Sequence, residues 1–145
     1  MEEKAPLLHR YEFVFEHMRQ KNLKMNSDCR ARMFEYAHYN RQSQLANKML
    51  HELIEHGVGS APVLPEVLAG FFHSSLKQDN LDGVAYLTEY CVRNEVDVSS
   101  WDLGLFRSSL NHYLNHDFDL GKLLIFTKFH SLYYTQRAQR VFGSL

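Results

Sequence analysis

This chain has little to offer covalent or metal chemistry. Cys29 and Cys91 are its only cysteines and no C-x-x-C spacing joins them, so neither a disulfide framework nor a zinc knuckle is indicated. Two core thiols in a reducing compartment fit that usage. Three prolines and seven glycines in 145 residues are too few for a fibrous or linker-dominated chain, and 45% hydrophobic against 23% charged residues is a globular balance. No window approaches the roughly 18 consecutive apolar residues of a membrane span. A surplus of one charge is also missing: the formal net charge is -1, so no overall basic field draws in nucleic acid, and any RNA contact has to come from a local patch. The "GVGSAP" stretch lacks the Lys-Ser/Thr of a phosphate-binding loop. The start, "MEEKAPLLHRYEF", has neither the basic and apolar regions of a secretory signal nor the acid-poor character of a transit peptide.

What the chain does have is helical period throughout, with no sustained strand alternation. Leu8, Tyr11, Val14, Phe15 and Met18 form one stripe, and Met33, Phe34 and Ala37 a second. Leu45, Ala46, Met49, Leu50, Leu53 and Ile54 form a third, closed by the helix stop Gly57. Leu64, Val67, Leu68, Phe71 and Phe72 follow, then Val84, Leu87 and Cys91, then Phe106, Leu110, Tyr113 and Leu114, and then Leu124 with Phe126 and Phe129. A short terminal helix is expected over 136–143. The breaks between stripes, such as "LKQDNLD" and "LNHDFD", have the length of antiparallel helical hairpins.

The third stripe contains "HELIEH", close to the H-E-x-x-H order of zinc proteases. There the histidines are four apart and share a face, whereas His51 and His56 are five apart, about 140° around a helix, and cannot meet at one ion. His112 and His116 are four apart, but only Asp117 or Asp119 offers a third ligand nearby, so no metal site is assigned. No serine, histidine and carboxylate pattern marks a catalytic triad, and neither a cofactor nor a small-molecule substrate is indicated.

Aligning the helices exposes a repeat. "YEFVFEHMRQKNLKMN" (11–26), "ANKMLHELIEHGVGSA" (46–61) and "VAYLTEYCVRNEVDVS" (84–99) each have apolar residues at the fourth and eighth places. Each also has Asn, Gly or Glu at the twelfth and an aliphatic at the thirteenth. "GKLLIFTKFHSLYYTQ" (121–136) follows more loosely. The starts step by 35, 38 and 37 residues, a helical-hairpin period.

In these runs, notably "VFEHMRQKNLKMN", "MLHELIEHGV" and "NLDGVAYLTEYCV", the chain resembles the pentatricopeptide repeat family, whose unit of about 35 residues is two antiparallel helices. The resemblance covers nearly the whole chain and its motifs are degenerate. It implies an all-α fold, a short right-handed solenoid in a single domain over 1–145. A lone leading helix would occupy 6–26, with repeats at 27–61, 65–99 and 102–136. A leading helix that is the second half of a hairpin also implies a partner before it, in a longer protein or on another chain. Tetratricopeptide-type hairpins share the same two-helix unit.

The resemblance also carries a functional expectation: a non-catalytic component of a mitochondrial ribonucleoprotein, in the mitoribosome or an RNA-processing assembly. The alternative is a protein-only adaptor without RNA. The family's base-reading places fall here on Ala31 with Ala61, Ala69 with Ser99, and Phe106 with Gln136. The family expects hydrogen-bonding side chains there, and the two alanines at the first place offer none, so sequence-specific readout is not expected. Arg30, Arg32, Lys77, Arg107 and Lys122 are the candidate phosphate contacts, since backbone binding needs only placed cations; solvated helix faces are their other reading. Trp101, at the start of a hairpin, is a candidate anchor in a partner interface or a staple of its own helix.

Overall fold

The computed structural model describes residues 12–13, 15–21, 25–116 and 119–143, and all regular structure among them is helical. Helical residues 12–13 and 15–20 (α1) precede α2 (Ser27–Tyr39), α3 (Ser43–His56), α4 (Pro65–Lys77), α5 (Leu81–Arg93), α6 (Gly104–His116) and α7 (Leu120–Phe142). Leu8, Tyr11 and Val14 of the first expected stripe lie outside the described residues. The chain divides into two compact units, Met1–Val67 and Leu68–Leu145.

Local chemistry sets the helix starts. Orphan N–H groups in a first turn need acceptors, and the Asn26, Asn80 and Asp119 side chains supply them to Cys29, Gly83 and Lys122 at 2.9, 3.2 and 3.1 Å. Pro65 opens α4, where its missing N–H costs nothing.

In the first unit α2 packs along α3. Ala31, Phe34 and Ala37 are buried on α2 at steps of three, and Ala46, Met49, Leu50 and Leu53 on α3 at steps of three and four, spacings that keep each set on one helix face. The segment after α3 is tied back onto α2. Ser27 Oγ donates to Gly57 O (2.7 Å), while the Asp28 carboxylate accepts from Ser60 Oγ (3.0 Å) and Ala61 N (2.8 Å). A Cβ at Gly59 would run into that carboxylate, so the close approach requires glycine.

In the second unit both α5 and α6 pack on α7. Its core is aromatic. Phe72 stacks on Phe129 at 4.3 Å between ring centroids, with Trp101 at 5.3 Å and Phe106 at 6.2 Å from Phe72, and Phe126 closes on Phe106 at 5.4 Å. Rings at such separations add to the area they bury. The turn between α4 and α5 is tight: a Cβ at Gly83 would meet Ser75 Oγ at 2.9 Å.

One turn occurs twice. Helix α2 ends with Asn40 N donating to Tyr36 O and Gln42 N to Ala37 O; α4 ends with Gln78 N donating to Ser74 O and Asn80 N to Ser75 O. Between each pair of donors sits a residue in the left-handed region, Arg41 and Asp79, both at φ 57° and 38 residues apart. The other two positive-φ residues among those described, Gly57 (φ 82°) and Glu95 (φ 53°), end α3 and α5 at the same 38-residue offset. That offset is the one separating the sequence repeats that begin at 27 and 65.

The third segment departs from this pattern. The corresponding position is Leu132, yet α7 runs through it unbroken, and the separate terminal helix expected over 136–143 is its continuation. "SLYYTQRAQRVF" contains no glycine, asparagine or proline to stop a helix, which accounts for the difference. Burial also divides the expected stripes. Leu124 and Leu114 are exposed while Phe126 and Phe129 are buried, and exposed Leu64 precedes α4 instead of lying on it.

Candidate interaction surface

Two of the expected phosphate contacts are committed inside the first unit. Arg30 Nε lies 3.2 Å from the Glu52 carboxylate across the α2–α3 pair. Arg32 Nε lies 2.7 Å from Glu35 Oε1, and its Nη2 donates to Ala61 O (3.1 Å) and Pro62 O (2.7 Å). Glu35 is 1% exposed, and its second oxygen accepts from Leu64 N (3.1 Å). A buried carboxylate is tolerable only when paired and hydrogen-bonded, and both conditions are met here. The Arg32–Glu35 pair therefore clamps the backbone on both sides of Val63, itself buried, and holds the segment leading into α4.

The other three cations lie in the second unit. Lys77 is exposed at the end of α4. Arg107 is exposed on α6 and donates to Tyr134 Oη (3.1 Å). Lys122 is half-buried at the start of α7, with its ammonium 4.8 Å from the Tyr113 ring centroid. Of the five cations, only Lys77 and Arg107 present an exposed side chain. Trp101, just before α6, is half-buried against Phe72 of α4 and Phe129 of α7.

The base-reading places are distributed unfavourably for readout. Ala31 and Phe106 are buried in their cores, and so is Ser99. The Gln136 side chain accepts from Val98 N (2.7 Å) and donates to Val96 O (2.8 Å), pairing with the loop after α5. Both ends of its amide are thus occupied by backbone.

That loop borders a cleft of about 680 Å³ lined by residues of α5 and α7 together with Asp97 and Ser99. Asp97 accepts from Ser99 Oγ (2.6 Å) and Ser99 N (2.9 Å), bonds that, with help from nearby Arg140, hold its carboxyl below the ordinary range. Cys91 also lines the cleft, but burial pushes its thiol up to about 12, which leaves it protonated and without nucleophilic character at neutral pH. His112 and His116 come within 5.0 Å of each other on α6, and no group of three His, Cys, Asp or Glu suited to a metal ion occurs among the described residues. His51 is 3.2 Å from Glu55 along α3.

The sequence reading missed Glu35, because a carboxylate beside Phe34 reads as the solvent edge of a stripe. Its signal was the arginine three residues before it. Also missed was the outward side of α7. Leu120, Leu124, Thr127, Ser131, Tyr134, Ala138 and Val141 are all exposed and uncharged, spaced alternately by four and three residues along the helix. No family model, no curated protein and no solved structure matches the chain.

Proposed function

We propose that this chain is a non-catalytic helical-repeat scaffold within a larger assembly, a mitochondrial ribonucleoprotein of the mitoribosomal or RNA-processing kind, and that its own contacts there are to protein. Stacked at the repeat register, its hairpins build a short right-handed solenoid like that of the pentatricopeptide family it resembles. The observation that carries this reading is the recurrence of left-handed turn residues, Arg41 with Asp79 and Gly57 with Glu95, at the offset of the sequence repeats. Hairpins of one design that end at one register are what repeat stacking requires. The emphasis on protein rests on the burial of Ala31 and Phe106 and on the internal pairing of Arg30 and Arg32.

Phosphate contact with RNA is the second reading, favoured by exposed Lys77 and Arg107. A protein-only adaptor differs from both in lacking any ribonucleoprotein. Gradient sedimentation of the tagged chain from its own cells, with and without ribonuclease, tests the proposal. Co-migration with a large particle that ribonuclease disperses is expected, and sedimentation as a free 17.1 kDa chain would contradict it.

A further inference from the structure

The exposed side of α7 has the geometry of a helix-pairing seam. Leu120, Leu124, Thr127, Ser131, Tyr134, Ala138 and Val141 follow the alternating spacing of heptad a and d positions over about 31 Å of helix at 1.5 Å per residue. Among them Leu120 is 64% exposed, Leu124 53%, Tyr134 41% and Val141 59%. The opposite side, Phe126, Phe129 and Tyr133, is already buried in the core of its unit. Helix α7 thus carries, besides its buried apolar stripe, an exposed uncharged one on the other side, where a surface helix normally carries charge. Thr127 Oγ already donates to Leu123 O (2.8 Å), so its hydroxyl can be covered without losing a partner.

The residues flanking the seam identify what fits it. Lys128, His130 and Arg137 border the stripe, and α7 contains no aspartate or glutamate in its 23 residues although the chain as a whole is balanced; the one carboxylate lining the hollow beside Leu124 and Lys128, Glu89 of α5, is paired with Arg93 at 2.6 Å. A second copy would bring no carboxylate from its own α7 to pair with Lys128 and Arg137 in either orientation. A lipid surface takes a broad apolar sector, whereas this seam is two positions in seven. RNA would meet uncharged side chains along the centre of the surface, where phosphates call for cations. We infer that the α7 seam docks an amphipathic helix of another protein whose own seam is flanked by aspartate and glutamate. This inference rests on the scaffold reading and names the kind of partner.

The test uses the full chain and a labelled four-heptad peptide, about 28 residues, with Leu at a and d and Glu at e and g, beside a version with Lys at e and g. The Glu peptide is expected to bind at least tenfold more tightly than the Lys peptide. Leu124→Glu with Tyr134→Glu is expected to reduce that binding by more than tenfold while circular dichroism stays unchanged. Val92→Ser, on the exposed side of α5, is expected to leave it unaffected. Equal binding of the two peptides, absence of binding, or binding indifferent to the double substitution overturns the inference. So does a dimer of the chain, or capture of single-stranded RNA or phosphatidylserine vesicles, that the double substitution abolishes. None of those results moves the chain off a ribonucleoprotein particle in gradients, so the scaffold reading fails or stands separately.

Discussion

Glu35, among the most deeply buried side chains of the first unit, lies 2.7 Å from Arg32, and the pair joins α2 to the backbone that leads into α4. Arg32→Met would leave the carboxylate without its cation in the interior. We expect a loss of about 3 kcal/mol, the lower end for a broken buried pair because the arginine keeps some contact with water. Arg32→Met with Glu35→Leu removes both charges and should recover most of that loss. Denaturant unfolding of both variants checks this, and a double variant no better than the single one would show that the pair's role is not electrostatic.

The left-handed residues give a second expectation. Arg41 and Asp79 hold φ 57° at the cost of crowding their own Cβ, so Arg41→Gly and Asp79→Gly should each stabilise by roughly 0.5–1 kcal/mol, net of glycine's chain entropy. Gly57 combines φ 82° with ψ 172°, a region essentially reserved for glycine, and Gly57→Ala should destabilise by about 1–3 kcal/mol. Thermal midpoints that move in these opposite directions support the turn geometry, and equal stability in all three variants contradicts it.

Thiol labelling separates the two cysteines. Cys91 is buried with its thiol pushed up to about 12, and Cys29 is half-buried at the start of α2. Native protein at pH 8 should take up one equivalent of a thiol reagent, at Cys29, and the second only after unfolding. Rapid native modification of Cys91 would mean that α5 opens readily.

Acid should act on the loop after α5. Because Asp97 titrates below its ordinary value in the folded chain, its contribution to stability is complete above the unfolded value of about 3.9 and is lost as pH falls through the folded one. Ser99→Ala removes the main hydrogen bond and should move the Asp97 titration upward in an NMR pH series. An unmoved titration would assign the depression to the Ser99 backbone N–H, which the substitution keeps, and to Arg140.

How far the sequence carried the reading depends on how many neighbours each feature needs. Period alone located six helices, since Leu50 or Phe129 needs only one packed face to declare itself, and the twelfth place of the aligned repeats marked the turns where Gly57 and Glu95 stand, though not those at Arg41 and Asp79. Period could not separate the two stripes of α7. Leu124 and Phe126 are adjacent in the sequence pattern, and only the positions of α5 and α6 decide that the phenylalanine is buried and the leucine exposed. Charge was equally ambiguous. Arg30 and Lys77 are both cations on helices, but Glu52, on the neighbouring helix, pairs with the first while the second stays exposed. Whether a cation is available to a ligand is settled by tertiary neighbours, which composition does not contain.

Titration with a mixed single-stranded RNA pool across a salt series decides whether this chain engages protein, as proposed, or itself grips RNA. The native chain is compared with a variant carrying Lys77, Arg107 and Lys122 as alanines. Weak binding at low salt that vanishes near physiological salt is expected, with closely similar log-log slopes for the two proteins. Tight binding at physiological salt, with a slope that falls by about 0.7 for each cation removed, would contradict it and make these side chains phosphate contacts.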